Sequence, residues 1–191
     1  GMYGDGDFFD MKGVVEEFLD KVGMDKKKDY DPKAGKNFLH PGRQALIRYE
    51  GEEIGYLGEV HPQVADNYGI GTRVYVAVLD ILQVVKFATY DRKYEGIARF
   101  PAVNRDISMV VPKDIMVGDI EKMIAQRGGK ILEHYELFDI YEGDQIQAGY
   151  KSVAYSITFR SKEKTLGEAE VTGAMKKILN GLESMGIQLR K

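Results

Sequence analysis

Residues 130–141 read KILEHYELFDIY and residues 150–160 read YKSVAYSITFR; the fold turns on how these two stretches face each other. Both are rich in the β-branched and aromatic residues that suit a pleated, half-buried surface. Between them Glu142-Gly143-Asp144 supplies turn chemistry, so the pair reads as two long antiparallel strands. Side chains alternate faces along a strand. On the first strand Leu132, His134, Glu136, Phe138 and Ile140 fall on one side, and Tyr135, Leu137, Asp139 and Tyr141 on the other. On the second, bulky Val153, Tyr155, Ile157 and Phe159 alternate with small Ser152, Ala154, Ser156 and Thr158.

The pattern continues on both sides of this pair. Arg105–Val111 predicts a strand closed by Pro112, with Ile107, Met109 and Val111 inward and Asp106, Ser108 and Val110 outward. Val117–Gln126 predicts a helix ended by Gly128-Gly129, and Leu166–Leu182 a second one with Ala169, Val171, Met175, Ile178 and Leu182 apolar. Gly186–Arg190 reads as a last short strand, with Ile187 and Leu189 inward and Gln188 and Arg190 outward. The order β-α-β-β-α-β is that of a ferredoxin-like fold. Its four antiparallel strands carry both helices on one face and leave the other open.

That open face is expected to carry Ser108, Asp139, Tyr141, Ser152 and Arg190. Small residues admit a flat ring, and an aromatic side chain stacks on it. A carboxylate accepts from a base amino or imino group, and an arginine meets phosphate or a base edge. The face therefore suits unstacked RNA bases; the bland reading of the same residues is a solvated sheet surface.

The first half predicts an α+β region. Phe8 to Gly13 reads as a strand end and turn, after which Val14, Val15, Phe18, Leu19 and Val22 recur at helical spacing up to Gly23. Lys26 to Pro32 reads as a polar loop. Ala45–Tyr49 and Glu53–Leu57 form a predicted hairpin around Glu50-Gly51-Glu52. A short helix follows near Val64–Tyr68, then a strand at Val74–Leu79, and Asp80–Val84 opens another short helix. The apolar-poor stretch 91–97 is the expected linker, which divides the chain into domains at 1–90 and 98–191.

Composition narrows the function classes. With 43% hydrophobic and 30% charged residues in 191, the chain is ordinary for a globular protein. It has no cysteine, hence no disulfide framework and no thiolate metal site. No apolar run approaches the roughly 20 residues that span a bilayer, and the acidic, Gly-rich start shows no signal peptide. Gly1 reads as an expression remnant and the chain as a piece of something longer. The net charge is −3. Residues 1–97 carry 13 Lys and Arg against 17 Asp and Glu, a balance of −4; residues 98–191 carry 14 against 13, a balance of +1. A near-neutral module that binds RNA relies on stacking and hydrogen bonds more than on bulk charge.

Catalytic patterns are thin. His40, His61 and His134 lack metal-ligand spacing, and His40 and His61 precede proline, which points to turn packing. Glu16-Glu17 and Glu52-Glu53 are neighbours that do not converge on one face. No GxGxxG or GxxxxGK[ST] phosphate loop occurs. The expected set of catalytic and metal residues is therefore empty.

Several strings resemble one family. In the second half they are Arg99-Phe100-Pro101-Ala102-Val103-Asn104-Arg105-Asp106, Glu136-Leu137-Phe138-Asp139-Ile140-Tyr141, Lys151-Ser152-Val153-Ala154-Tyr155 and Thr158-Phe159-Arg160. In the first half they are Phe9-Asp10-Met11-Lys12-Gly13, Leu39-His40-Pro41-Gly42-Arg43 and Gly55 through Pro62, GYLGEVHP. Together they resemble the C-terminal region of phenylalanyl-tRNA synthetase beta subunits. The resemblance implies a ferredoxin-fold anticodon-binding domain, preceded by the end of a class II synthetase-like α+β domain that keeps the fold without its chemistry. It points to Ser108, Asp139, Tyr141, Ser152 and Arg190 as RNA-binding residues.

The implied function is recognition of the anticodon region of the phenylalanine tRNA and subunit assembly, within a cytoplasmic α2β2 phenylalanine–tRNA ligase. The implied partners are that tRNA and the alpha subunit, with no DNA and no membrane. ATP and magnesium are implied for the whole enzyme and no cofactor for this stretch. Two other readings stand beside it: a ferredoxin-like regulatory domain that binds a small metabolite, and an independent enzyme built on His40–Arg43 and Glu59–His61.

Overall fold

The first helix begins at Phe8, ahead of the Val14 start that apolar spacing suggests. Asp7 is extended, and its carboxylate accepts from the backbone N–H groups of Phe9 and Asp10 while Asp10 reaches back to the Asp7 N–H. This reciprocal cap satisfies donors that would otherwise be orphaned, so a stretch expected as strand end and turn is helical.

The computed structural model describes residues 1–24, 27–91 and 96–190, in two units, Gly1–Tyr94 and Glu95–Lys191. The expected linker, 91–97, falls partly outside the described residues, as does Lys26 of the expected polar loop.

In the first unit the order is β1 (Met2–Tyr3), α1 (Phe8–Lys21), β2 (Lys28–Asp31), β3 (Leu39–Tyr49), β4 (Glu52–Val60), α2 (Pro62–Asn67), β5 (Val74–Leu79) and α3 (Ile81–Phe87). The strands form one antiparallel sheet ordered β1-β5-β4-β3-β2. Met11, Val15 and Leu19 recur on one stripe of α1 and bury against Ile47, Ile54, Leu57 and Tyr75. The β3–β4 turn puts Glu50 and Gly51 at φ 51° and 86°, the left-handed pair that matches hairpin twist. The polar loop expected after Lys26 is in part strand: Lys28–Asp31 pairs with Leu46–Tyr49. Its alternation carries no apolar signal because all four residues are only half-buried, as on an edge.

Between the pairs Leu39↔Val60 and Gln44↔Gly58, residues 40–43 face Glu59 alone. The chain arches there, in a bulge of the His-Pro-Gly-Arg turn inside a longer strand. At Gly55 the sheet is tight: a Cβ would stand 2.2 Å from the Val78 carbonyl oxygen.

The second unit runs β6 (Val103–Pro112), α4 (Val117–Gly128), β7 (Leu132–Tyr141), β8 (Tyr150–Phe159), α5 (Glu168–Ser184) and β9 (Gln188–Leu189), with a 3-10 turn at Gly129–Ile131 where the long strand was expected to start. The sheet order is β7-β8-β6-β9, all antiparallel. This is the ferredoxin-like α+β arrangement. Ile107, Met109, Val111, Val153, Tyr155, Ile157 and Phe159 from alternate strand positions bury against Ile120 and Ile124 of α4 and Val171, Ile178 and Leu182 of α5. One apolar sheet face thus takes both helices, and by the alternation of the pleat the other face carries none of that core.

One assignment on β7 is overturned. Tyr135 lies opposite Ile157 and Leu137 opposite Tyr155, so both belong to the helix-covered face and pack against the core. His134 and Glu136 pair with Thr158 and Ser156 and so face outward. The register then shifts between Leu137 and Asp139. Phe138 is the extra residue of a bulge, 58% exposed, and it is not part of a greasy face with Ile140. Beyond it Asp139 pairs with Ala154 and Tyr141 with Ser152. A second shift at Glu133 separates Leu132, opposite Phe159, from His134. Each bulge adds one residue and reverses the parity of everything after it.

Candidate nucleic-acid interface

The outward face of the second unit is organised in rows that run across the strands. Tyr141, Ser152, Val110 and Gln188 make one row, joined by the pairings Tyr141↔Ser152, Val110↔Ser152 and Val110↔Gln188. Asp139, Ala154 and Ser108 make the next, and Arg190 joins it, since its backbone N–H donates to the Ser108 carbonyl at 2.8 Å. Below lie Glu136, Ser156 and Asp106, then His134, Thr158 and Asn104.

The five residues expected from the sequence therefore occupy two adjacent rows. Ser152 and Ala154 form the floor, 3% and 6% exposed, because they are short and central. Arg190 reaches over them and its guanidinium donates to the Ser152 hydroxyl at 3.5 Å, the long limit of such a bond. Tyr141 and Asp139 stand exposed on the β7 side, Tyr141 at 41%. Across a floor of two small residues, an aromatic ring and a carboxylate face an arginine. Around that floor stand a surface to stack on, an acceptor and a cation, the groups that an unstacked base uses.

The β7–β8 turn beside Tyr141 is held down. Lys113 Nζ meets Glu142 Oε2 at 2.5 Å; this hydrogen bond and charge keep the Glu142 carboxyl below the usual carboxylate range. The Lys113 N–H donates to the Gly149 carbonyl at 3.0 Å. On the covered face the Tyr155 hydroxyl donates to Glu121 at 3.3 Å. Burial first, then that carboxylate, push the Tyr155 phenol up.

Residues 98–190 match the family model for the ferredoxin-fold anticodon binding domain. Residues 3–81 match the phenylalanyl tRNA synthetase beta chain CLM domain. The chain belongs to the phenylalanyl-tRNA synthetase beta-subunit family. Its two domains are those of that subunit's C-terminal region, as the resemblance implied. It is similar to the phenylalanine–tRNA ligase beta subunits of Clostridium acetobutylicum and Clostridium tetani, 42% and 41% identical over the whole chain and 24% of each relative. The Bacillus subtilis subunit is 40% identical over 93% of this chain and 22% of the relative. The chain thus spans about a quarter of the length of the curated relatives it matches. Solved structures of Arabidopsis thaliana MSL1 align at 10% and 9% identity with TM-scores of 0.31 and 0.33, covering 95% of this chain and 59% and 57% of theirs.

Within the anticodon-binding domain, reading the sequence missed His134 and Glu136 as members of the outward rows, whereas Gln188 lies outward as expected. The signal was present: Leu137 and Phe138 are consecutive large apolar residues, which strict alternation cannot place on one face. In the CLM domain the polar centre is Glu59, 3% exposed. Arg43 Nη1 donates to both its oxygens at 2.9 Å, and the Tyr75 hydroxyl donates at 3.1 Å. His40 and His61 accept through Nδ1 from the N–H groups of Gly42 and Gln63 at 3.1 and 3.3 Å, so they serve the turn and the start of α2. Among the described residues, no group of three or more His, Asp or Glu could hold a metal ion, and no helix is long and apolar enough to cross a membrane.

Proposed function

We propose that this chain is the tRNA-contacting and assembly region of a cytoplasmic phenylalanine–tRNA ligase, and that the outward sheet face of residues 98–190 takes the anticodon. The alpha subunit is the protein partner in this reading. In this reading ATP, magnesium and the chemistry of aminoacylation belong to parts of the enzyme outside this chain. The observation that carries the reading is the pair of rows in which Tyr141, Asp139, Ser108 and Arg190 flank the small floor of Ser152 and Ala154. The charge pattern constrains it. Asp139, Glu136 and Asp106 all face outward, so the phosphate backbone must keep away while the bases turn inward.

The test is binding of a synthetic phenylalanine anticodon stem-loop, and of base-substituted versions, to the parent chain and two variants. Loss of one stacking platform costs about 1–3 kcal/mol. Tyr141→Ala is expected to weaken binding roughly ten- to a hundred-fold on that scale. Asp139→Ala is expected to flatten discrimination between stem-loops more than it lowers affinity. Neither should move the thermal midpoint, since both side chains are exposed. A folded Tyr141→Ala that binds like the parent refutes the assignment of this face. The metabolite-binding reading would place a ligand between helix and strand; the pocket there, between α5 and the β6 and β9 strands and lined by Met109, Leu179, Leu182, Glu183, Ile187 and Leu189, holds only about 10 Å³, room for about one water.

A further inference from the structure

Tyr141 ends β7, and two residues later the chain passes directly beneath its phenol. A Cβ on Gly143 would stand 2.2 Å from the Tyr141 hydroxyl oxygen and 2.5 Å from Cζ. Real Cβ atoms do not approach that closely. Gly143 is also absent from the glycines with positive φ, so its backbone conformation is open to any residue. Gly149, in the same connection, is the opposite case: its φ is 88° and nothing lies within 4 Å of its would-be Cβ. Glycine at 149 serves the backbone; glycine at 143 serves the tyrosine ring.

The turn cannot easily retreat to make room. Glu142 is tied to Lys113 at 2.5 Å. The Gly143 carbonyl accepts from the Ile146 N–H at 2.9 Å, and Gly149 accepts from Lys113 at 3.0 Å. Tyr141, by contrast, is 41% exposed at the edge of the sheet and can swing into water.

We infer that Gly143 is a positioning residue: by having no side chain it lets the Tyr141 ring lie against the β7–β8 turn, in the orientation that presents the ring to a base on the outward face. This rests on the proposed function for its ligand, though the ring's seat on Gly143 does not. A side chain at 143 displaces only the far end of Tyr141, so the fold tolerates it while the stacking surface is lost.

The experiment uses the 191-residue chain as Gly143→Ala, Tyr141→Ala, Tyr141→Phe and the double variant. It reads Tyr141 ring resonances in tyrosine-labelled protein without RNA, thermal midpoints, and affinity for the phenylalanine anticodon stem-loop. Gly143→Ala is expected to shift the Tyr141 ring signals and leave the midpoint unchanged. It should weaken binding about ten-fold or more, approaching the loss for Tyr141→Ala. In the Tyr141→Ala background it should add nothing, and Tyr141→Phe, which keeps the ring, should bind nearly as the parent does. Unmoved ring signals in Gly143→Ala overturn the inference whatever the RNA does. So does a moved ring with unchanged affinity while Tyr141→Ala is impaired, and so does an equal loss in the Tyr141→Ala background. If Tyr141→Ala itself binds normally, the reading of the face fails first and the role of Gly143 in binding fails with it.

Discussion

Breaking the Arg43–Glu59 pair should cost very different amounts from its two sides. The Glu59 side chain is 4% exposed and the Arg43 side chain 42%. Arg43→Met removes the donor to both carboxylate oxygens and leaves a buried carboxylate whose remaining side-chain donor, among the described residues, is the Tyr75 hydroxyl. Stranding one member of a buried pair costs about 3–5 kcal/mol. Partial access of water on the Arg43 side puts this case near the lower end, about 3 kcal/mol. Glu59→Gln keeps an oxygen for Tyr75 and removes the buried charge. Arg43 then turns to water it already reaches, so the loss of its charge-assisted contact falls at the low end for hydrogen bonds to charged groups, about 1.5 kcal/mol. The difference is roughly a factor of ten in the unfolding equilibrium. Urea unfolding followed by circular dichroism, with amide exchange on β3 and β4 to localise the change, separates the variants. If Glu59→Gln is as damaging as Arg43→Met, desolvation of the carboxylate is not what governs this site, and the reasoning fails.

Three further outcomes are expected. Deleting Phe138 should leave Asp139 and Tyr141 facing outward, because the deletion removes the extra residue and heals the ladder; cysteine accessibility at 139 in the shortened chain measures it, and protection there would contradict the register. Gly55→Ala should destabilise the first unit by roughly 1–3 kcal/mol or more, since its Cβ meets the Val78 backbone carbonyl and not a movable side chain; a urea midpoint equal to the parent's would count against it. Both units should weaken as pH rises above about 10, the unfolded tyrosine range. Tyr30 and Tyr155 are pushed up by burial first and neighbouring carboxylates second. Folded chains therefore keep protons that unfolded chains release, and stability present below that range is lost above it. Tyr155→Phe should shallow the alkaline slope of the second unit, and an unchanged slope would remove Tyr155 as its cause.

The order of elements in the second half is legible because each carries its own punctuation: Pro112, Gly128-Gly129 and Gly186 end what the apolar periods begin. Facing on β7 is not. Counting alternate residues groups Asp139 with Leu137, and only the extra Phe138 lets one be solvated and the other buried. Alternation does put Asp139 and Tyr141 on the outward face, but it takes Tyr135 and Leu137 there with them, and the bulge separates the two pairs. In the first half β2 is hidden because an edge strand with four half-buried polar residues has no period to read. The start of α1 is hidden because a capping carboxylate, not the apolar stripe, sets it. Gly143 is invisible in one dimension, since its role depends on where another residue's ring comes to rest.

For RNA bound as proposed, the rows on the outward face would also act as a ruler. Successive outward residues of a strand are about 6.8 Å apart, whereas stacked nucleotides advance about 3.4 Å per step. Two bases lying in the Tyr141 row and the Asp139 row are too far apart to remain stacked on each other. A strand of RNA can meet both rows only by exchanging its own base stacking for contacts with the protein. The sheet's geometry then rejects a helical ladder of bases before any hydrogen bond is tested.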